Sequence, residues 1–449
     1  RPRPAVAPDA GEALTVTVGK IEIEGGFPDL ADADRSFAAG LEGRRLSLGE
    51  IRAAVRRLGD AYAARGYILA RVVLPPQTLA DGQSVRVVVV DGVIESIDLD
   101  NVPARARGQA RSRLSGLVGR RRLRLDEIER AVLLAGDLPG LTLRSTLTPG
   151  AKEGGTRLVL QGRQALISGG FGVDNRLDPT LGRTDFGVNL AVNDALGLGE
   201  QLYGVFSAGT DLSALAAGRP RLEVWGAGAV LPLGGNGLTL NPEATGSTTR
   251  TAPPAGSPAT RGEFRRLALR VAYPLRRSRA FSLYLGAAYE HVDETITATA
   301  FGAELSHDRF SAVRLSANLA AADREGRVWQ AQVQLSKGLS GLDSRTRADA
   351  VASGIPLSRQ GADPDFTKLN LSAALAQPLP RGWRLALAAR GQIDFGQPML
   401  RSEQFSLDGP DALSTFDAGA LSVDSGVTVR AELARDGASE LAVGELRTL

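Results

Sequence analysis

The chain has 449 residues, of which 53 are basic and 50 acidic, giving a formal net charge of +3. Both signs are mixed along the sequence, so no long block of like charge indicates nucleic-acid binding. Cysteine is absent, which excludes a disulfide framework, a zinc knuckle and a thiol nucleophile, and two histidines are too few for a histidine-rich metal site. No run of about 18 apolar residues predicts a transmembrane helix.

Residues 1–16, which include the Pro- and Ala-rich start RPRPAVAPDAGEA, are predicted to form a flexible linker. The segment that follows mixes helical and strand patterns. Apolar residues at helical spacing predict a helix over Leu48–Arg65, with Ser47 and Glu50 at the spacing of a capping box and Gly66 at its end. Alternating and β-branched runs predict strands at Lys20–Glu24, Ile68–Leu74 and Val85–Val90.

The same order of strand, helices and two strands then recurs. Strands are predicted at Ile94–Leu99, Leu141–Leu147 and Arg157–Leu160, and helices at Arg107–Leu117 and Leu125–Leu134. We interpret residues 17–93 and 94–162 as two copies of one supersecondary unit, each of about 70 residues. The basic run Gly119–Arg124 in the second copy is either a solvated helix end and loop or a patch for anionic lipid.

After Gly162 the pattern changes to strands of about ten residues with period-two alternation, as in a transmembrane β-barrel. Trp329, Ala331, Val333 and Leu335, for example, alternate with glutamines. Short connections alternate with longer ones, and the longer ones are Thr210–Pro220, Ala244–Gly262, Val292–His307, Ser340–Asp365 and Gln397–Ser425. The sequence therefore predicts an antiparallel transmembrane β-barrel over residues 163–449. A soluble β-sandwich is the alternative, because its strands alternate as well.

In a barrel, the apolar set of each strand faces lipid and the polar set faces a wet lumen. We expect five leucines to face lipid: Leu283, Leu285, Leu315, Leu335 and Leu387. Three arginines at polar positions of the alternation should face the lumen: Arg270, Arg314 and Arg384.

No residues form a recognisable catalytic motif, so the chain is predicted not to be an enzyme and to need no cofactor or metal. Neither His291 nor His307 lies in a known motif, and His307 is predicted to be solvated in a loop. The glycine-rich runs Gly169–Gly172 and Leu233–Gly237 lack the Lys-Ser/Thr of a phosphate loop. We interpret them as turns and strand positions without side chains.

Three segments resemble the outer-membrane transporters of bacterial two-partner secretion, which export adhesins of the filamentous-haemagglutinin type and haemolysins. Residues 66–97 (GYILARVVLPPQTLADGQSVRVVVVDGVIESI) are similar to the first POTRA domain of that family. Residues 193–202 (NDALGLGEQL) resemble its turn after the second barrel strand, with Leu196, Gly197, Leu198 and Gly199 as the signature. Residues 405–433 resemble its signature between strands eleven and twelve.

The resemblance implies two α+β POTRA domains in the periplasm, followed by a barrel in the outer membrane. It implies that the POTRA domains bind a secreted adhesin- or haemolysin-like partner, which crosses the barrel unfolded and without ATP. Outer-membrane lipid would surround the barrel, nucleic acid would not be bound, and a monomer is expected. Two other functions stay open: an assembly factor for outer-membrane proteins, and a diffusion porin with periplasmic binding modules.

Two features depart from the family pattern. The family's loop tip reads VRGY or VRGF, whereas here it reads Leu413, Ser414, Thr415 and Phe416, without the arginine and the glycine. The resemblance implies that this arginine pairs with an acidic residue of the barrel wall, so we expect the tip to be loosely held. The second departure is the number of strands. The resemblance implies about sixteen, and we predict twelve to thirteen here, so we expect the last strands to be missing from this chain.

Overall fold

A computed structural model describes residues 15–435, apart from residues 153, 176, 210–213, 215–216, 254–255, 409–412 and 414–420. The chain divides into two compact units, residues 1–164 and 165–449. None of the helices in the described part is long and apolar enough to cross a membrane.

The first repeat of the N-terminal unit is a small three-stranded sheet with two helices. The capping box at the start of its second helix is formed, because Glu50 N–H donates to Ser47 Oγ and Ser47 N–H donates to Glu50 Oε2. Its elements are β1 (Thr15–Thr17), β2 (Ile21–Glu24), α1 (Ala31–Leu41), β3 (Arg45–Ser47), α2 (Leu48–Ala64), β4 (Arg71–Val73) and β5 (Val85–Val90). The sheet order is β2-β5-β4, and β1 pairs with β3.

The second repeat has the same topology. Its elements are β6 (Val93–Asn101), α3 (Ala104–Leu114), α4 (Leu125–Gly136), β7 (Leu141–Pro149) and β8 (Gly155–Gln164). The sheet order is β6-β8-β7. Strand β6 is parallel to β8, and β7 is antiparallel to β8. The first repeat has the same pattern, since β2 is parallel and β4 antiparallel to β5. The predicted internal repeat is therefore confirmed as a repeat of strand topology.

Each repeat buries its own apolar cluster between helices and sheet. In the second repeat Ile94, Leu114, Leu158 and Leu160 are fully enclosed. In the first repeat Ile51 and Val87 are at the centre of one cluster, and Phe27, Tyr62 and Tyr67 belong to a second cluster. Residues from α2 and β5 contribute to both clusters, so the helix is held to the sheet along its length.

The basic run Gly119–Arg124 contacts the first repeat. Arg122 N–H donates to Asp91 Oδ1 over 3.0 Å, and the neighbouring Leu125 N–H donates to Gly66 O over 2.8 Å. Leu123 between them is buried in the apolar cluster of the second repeat. Apart from Leu123 the residues of the run are exposed, as expected of a solvated loop, and its backbone also contacts the first repeat. The lipid-patch alternative stays open.

Two of its side chains extend this contact onto aromatic rings. The Arg122 guanidinium lies 5.5 Å from the Phe27 ring centroid, and that of Arg124 lies 5.9 Å from the Tyr67 centroid. Both distances are within the range of cation–π attraction. Phe27 and Tyr67 also pack edge to face with centroids 4.8 Å apart. We call this set of contacts the interdomain clasp.

The C-terminal unit is a twelve-stranded antiparallel sheet in which each strand pairs with its sequence neighbour, apart from a hairpin inserted before the last strand. The strands are β9 (Ile167–Asp174), β10 (Asp185–Asn193), β11 (Gln201–Gly209), β12 (Leu222–Leu233), β13 (Leu238–Arg250), β14 (Thr260–Arg277), β15 (Phe281–Ala298), β16 (Ala303–Ala322), β17 (Val328–Leu339), β18 (Thr367–Leu379), β19 (Trp383–Ile393) and β22 (Gly426–Arg435). The hairpin consists of β20 (Phe405–Ser406) and β21 (Ser422–Val423), and α5 (Arg347–Ser353) lies between β17 and β18.

The predicted fold class is confirmed, and twelve strands agree with the predicted number. Residues 436–449, where a thirteenth strand was predicted to begin, are outside the described residues. Two predicted loops are wrong. Most of Ala244–Gly262 and Val292–His307 belongs to strands, which leaves connections of residues 251–259 and 299–302. The long strands are rich in polar residues, which is why the sequence predicted loops there.

The two faces of the sheet differ as the alternation predicts. We call the face that carries Arg270 and Arg314 the inner face, and the opposite face the outer face. Most of the predicted outer leucines are exposed, Leu315 by 54%, Leu283 is half-buried, and no second layer of the described residues covers this face, which is contrary to a sandwich. The other leucines predicted to face lipid, Leu283, Leu285, Leu335 and Leu387, share this face through the pairing register, and Arg384 shares the inner face.

The assignment of the core can be tested in the N-terminal unit produced alone. Leu160→Ala should destabilise residues 15–164, produced alone, by about 2–5 kcal/mol, because it leaves a cavity under α3 and α4. Leu160 is fully buried, whereas Leu147 on the adjacent strand is 37% exposed and is a matched control. Urea unfolding followed by circular dichroism measures both. Equal losses in the two variants would contradict this assignment of the core.

Candidate functional site

Two regions of the C-terminal unit contain the segments singled out by the sequence. The first is the turn between β10 and β11, which holds Leu196, Gly197, Leu198 and Gly199. Gly197 and Gly199 have φ angles of +77° and +73°, which side chains other than glycine rarely adopt. The two glycines thus supply the left-handed conformation at two positions of the turn. Leu196 precedes them and is 68% exposed, and Leu198 lies between them and is 56% exposed.

Buried polar side chains hold this turn in place. Glu200 Oε1 accepts from Leu196 N–H over 2.6 Å, and Glu200 Oε2 accepts from Leu198 N–H over 3.0 Å. Asp194 Oδ1 accepts from Gly199 N–H over 2.8 Å. Both carboxylates are almost fully buried, Glu200 completely and Asp194 by all but 1%. The turn is therefore rigid at its base while its leucines point to the surface.

Burial acts to raise the pKa of the Glu200 carboxyl, but backbone N–H groups of the turn donate to it and hold the pKa below its usual value. A lowered folded-state pKa means that Glu200 stabilises the turn at pH values above the ordinary glutamate pKa. That contribution is lost as the pH falls through the lower value of the folded state.

The second region is the long connection between β19 and β22. Its hairpin pairs Phe405 with Val423 and Ser406 with Ser422. Leu413 N–H donates to Leu407 O over 3.1 Å, so the described end of the predicted tip folds back on the hairpin. Ser414, Thr415 and Phe416 lie outside the described residues, and the expected looseness of the tip stays a prediction.

The base of this connection contacts the inner face through Glu403. Its Oε1 accepts from Arg314 Nη2 over 2.6 Å and its Oε2 from Arg314 Nη1 over 3.1 Å. Lys368 Nζ lies 2.8 Å from Oε2. The backbone oxygen of Glu403 accepts from Lys368 Nζ over 2.8 Å and from Gln392 Nε2 over 3.0 Å. The sequence predicted that Arg314 faces the lumen, but it did not indicate Glu403, Lys368 or Gln392 as its neighbours, because their positions are far apart along the chain.

The charges of the inner face continue from this contact as a chain of alternating sign. Arg314 also donates through Nε to Glu290 over 2.8 Å, and Glu290 pairs with Arg270 over 3.3 Å. Arg270 reaches Glu243 over 3.1 Å. This set, with Glu403 and Lys368, is the inner-face ion network. It borders a polar cavity of about 700 Å³ that also touches Phe264 and Phe405.

An apolar cluster lies beside the network, where two long connections meet the inner face of the sheet. Met399 and Leu400, close before Glu403, are fully buried. They pack with Phe310 of β16, with Phe366 and with residues of the β17–β18 connection. The Phe310 and Phe366 rings are edge to face with centroids 5.7 Å apart. Both connections thus lie against the inner face of the sheet.

With this geometry established, comparison with known proteins identifies the family. A sequence profile of haemolysin secretion/activation protein ShlB/FhaC/HecB matches residues 154–448, and a profile of the ShlB-type POTRA domain matches residues 16–92. The chain belongs to the ShlB/FhaC/HecB family. The suspected family is therefore confirmed, and its members are outer-membrane β-barrel proteins that transport a protein partner in two-partner secretion.

The heme/hemopexin transporter protein HuxB of Haemophilus influenzae (strain 86-028NP) is 24% identical over 407 residues, which cover 87% of this chain and 66% of HuxB. The chain thus spans about two thirds of that relative's length. CdiB from Escherichia coli superposes with a TM-score of 0.72 at 20% identity, covering 96% of this chain and 77% of CdiB. CdiB from Acinetobacter baumannii gives 0.62 at 16% identity, covering 96% and 78%. At these identities the likeness to CdiB shows the fold alone.

Both histidines of this ShlB/FhaC/HecB chain lie in strands, so the predicted loop position of His307 is wrong. His307 Nε2 is 3.4 Å from Asp293 on β15, which also pairs with Arg309. His291 Nδ1 is 3.0 Å from Ser311 Oγ, and Ser311 also bonds the Leu342 carbonyl. Among the described residues no group of three or more metal-binding side chains occurs.

The turn allows a direct test. Glu200→Gln keeps the size of the side chain but replaces an accepting oxygen by an amide nitrogen that cannot accept. We expect hydrogen exchange at the turn to accelerate by about tenfold or more at neutral pH, since bonds to a charged acceptor are lost. Exchange of the peptide containing Leu196 and Leu198, followed by mass spectrometry, measures this.

The matched control is Glu325→Gln in the turn between β16 and β17, where the carboxylate side chain is 72% exposed. Exchange at residues 194–200 should be unaffected by the control. Unchanged exchange in Glu200→Gln would show that the glycines alone determine the turn.

Proposed function

We propose that this chain exports a large secreted partner protein, which its periplasmic POTRA repeats recognise and which passes unfolded across the outer membrane. The transport is passive: it uses no ATP, no cofactor and no catalytic step. Membership of the ShlB/FhaC/HecB family supports the transport role. The observation that carries the recognition role is the free edge of the second repeat.

Strand β7 forms that edge. In the described structure it pairs with β8 on one side and is the last strand of its sheet. It has nine residues, and those from Arg144 to Leu147 are exposed. An extended peptide can add to such an edge through backbone hydrogen bonds, which suit a partner recognised largely without regard to sequence.

The interdomain clasp supports this role as well. Because Arg122 and Leu125 bond the first repeat, the two sheets have one fixed relation within the N-terminal unit. An extended segment of the partner can then contact both repeats in a defined register. The partner is proposed to be adhesin- or haemolysin-like, and the transporter to act as a monomer.

The edge can be tested by two neighbouring substitutions. Along a strand, successive N–H groups point to opposite edges, so of Ser145 and Thr146 one points to β8 and the other to the free edge. We expect one of the variants Ser145→Pro and Thr146→Pro to keep its fold and lose partner binding, because proline removes a backbone donor.

Circular dichroism identifies the variant that remains folded, and calorimetric titration with the N-terminal region of any large secreted protein encoded by a neighbouring gene measures binding. If the folded variant binds like the unmodified unit, β7 is not the binding edge. If the unmodified full-length protein neither binds nor exports any such partner, the transport proposal fails and conductance without a partner favours a porin.

The membrane position of the sheet gives a further prediction. Leu315→Arg on the outer face should destabilise the full-length protein in lipid by about 2–4 kcal/mol if the position lies near the bilayer midplane. Gln330→Arg on the inner face, which borders a cavity that Glu432 also lines, is the control and should cost much less. Urea unfolding in lipid vesicles measures both, and equal costs would contradict a lipid-facing outer surface.

A further inference from the structure

We propose that helix α3 of the second repeat has a basic face that docks on anionic phospholipid headgroups of the outer membrane. We call it the α3 basic face and define it by Arg105, Arg107 and Arg111. The inference rests on the proposed function only in placing the repeats on the periplasmic side, next to the phospholipid leaflet of that membrane. It adds a second partner, a lipid surface, to the secreted protein proposed to bind at β7.

The second repeat is basic, whereas the first is electrically balanced. Residues 17–93 contain ten basic and ten acidic residues, and residues 94–162 contain twelve basic and eight acidic ones. Eight of those twelve are arginines within residues 103–124, a stretch that has no acidic residue. A basic helix with an exposed charged side is the pattern of proteins that bind anionic membranes.

The exposed side of α3 carries part of this charge. Ala106 and Ala110 are buried and attach one side of the helix to the apolar cluster of the second repeat. Arg105 and Arg111 are exposed and flank Gly108 on the opposite side. A side chain at Gly108 would meet no described atom within 4 Å, so this side of the helix is uncovered in the described structure.

The contacts of two of these arginines leave their charge available. Arg107 donates through Nε to Val102 O and through Nη2 to Asp100 O, each over 2.8 Å, and both acceptors are neutral carbonyl groups. Among the described residues Arg111 has no hydrogen-bond or ion-pair partner. Neither charge is neutralised by a bonded carboxylate, so both can pair with a phosphate.

The arginines near the start of α3 do not stabilise the helix that carries them. Arg105 and Arg107 lie within its first four residues, where the helix dipole favours acidic side chains, and the first turn has none. Pro103, the N-cap residue, contributes no side-chain hydrogen bond there. The positive end of the helix and the two guanidinium groups thus attract the same kind of ligand, an anion such as phosphate.

The chain itself keeps the second repeat close to the bilayer. Strand β8 ends at Gln164, and β9, the first strand of the membrane sheet, begins at Ile167. Such a short connection spans only about 10 Å, so one end of the repeat stays near the lipid in any orientation. Headgroup phosphates are thus always close, and they fit the paired N–H groups of a guanidinium. Lipid is therefore favoured over an acidic protein segment as the ligand of this face.

Docking can be measured in the full-length protein, reconstituted in vesicles whose lipid carries a nitroxide quencher at the headgroup. The chain has no cysteine, so Ser112→Cys on the exposed side of α3 provides a single site for a fluorescent label. We expect stronger quenching in phosphatidylcholine with about a quarter of phosphatidylglycerol than in phosphatidylcholine alone. About 1 M salt should abolish the difference, because it screens charges beyond about 3 Å.

The double variant Arg105→Gln with Arg111→Gln removes two charges from the face and keeps side chains of good helix propensity. In the phosphatidylglycerol vesicles we expect the ratio of docked to undocked protein to fall by roughly tenfold or more, since each arginine near an anionic surface contributes about a factor of five. Circular dichroism before reconstitution checks that the variant is folded.

Arg56→Gln with Arg57→Gln is the matched control, because it removes two exposed arginines from helix α2 of the first repeat. Its quenching should equal that of the unmodified protein. Equal quenching in the two lipids would overturn the proposal, and so would equal losses in the two double variants. If phosphatidylglycerol has no effect while added polyglutamate raises the anisotropy of the label, the face binds an acidic polypeptide and lipid docking is wrong.

Export of a secreted partner, measured in cells that carry the same variants, separates this inference from the proposed function. Docking on phosphatidylglycerol without any partner-dependent export leaves the α3 basic face standing and removes the transport role. Partner-dependent export together with quenching that ignores phosphatidylglycerol leaves the transport role and overturns the docking.

Discussion

Charges that the sheet turns toward its inner face need partners of opposite sign, because a charge withdrawn from water without compensation is strongly destabilising. The pairs Arg270–Glu243, Arg314–Glu290 and Lys368–Glu403 satisfy this requirement across several strands. The first two pairs join consecutive strands, and the third joins β18 to the β19–β22 connection. The arrangement of the inner face, of the cavity beside it and of the long connections depends on this requirement.

One result is that a loop and the wall are joined electrostatically. Arg314 of β16 and Lys368 of β18 both reach Glu403 of the β19–β22 connection, which supplies a carboxylate to these two cations. The buried cluster around Phe310 and Met399 adds an apolar contact beside it. A connection that is long enough to leave the sheet is therefore kept close to it by a few residues at its base.

The two repeats of the N-terminal unit are also held together, but by other physical interactions. Its repeats are joined by backbone bonds at Leu125 and Arg122 and by guanidinium groups over Phe27 and Tyr67. These contacts leave β7 at the edge of its sheet, with unpaired backbone groups available for an added strand. A rigid unit with a free edge loses little conformational entropy when it binds an extended chain.

The sequence by itself determined the class of the fold. Period-two alternation is a local property, and the strands of the sheet follow it. The capping box at Ser47 and Glu50 is also a local pattern, and it is formed as predicted. The turn at Leu196–Gly199 was located by its resemblance to the turn of the family, and Gly197 and Gly199 adopt the left-handed conformation there. Its buried carboxylate, Glu200, stands next to the motif and could have been included on that ground.

The partners of the charged residues were decided only by the tertiary structure. Arg314 and Glu403 are 89 positions apart, and no local pattern indicates that they meet. The same holds for Arg122 and Phe27, which belong to different repeats. The extent of β13 to β16 was underestimated for a related reason: a polar residue such as Asp293 resembles a loop residue until the sheet pairs it with an arginine of the adjacent strand. A sequence specifies which face a side chain occupies, whereas its electrostatic partner depends on strand register and on where the loops fold back.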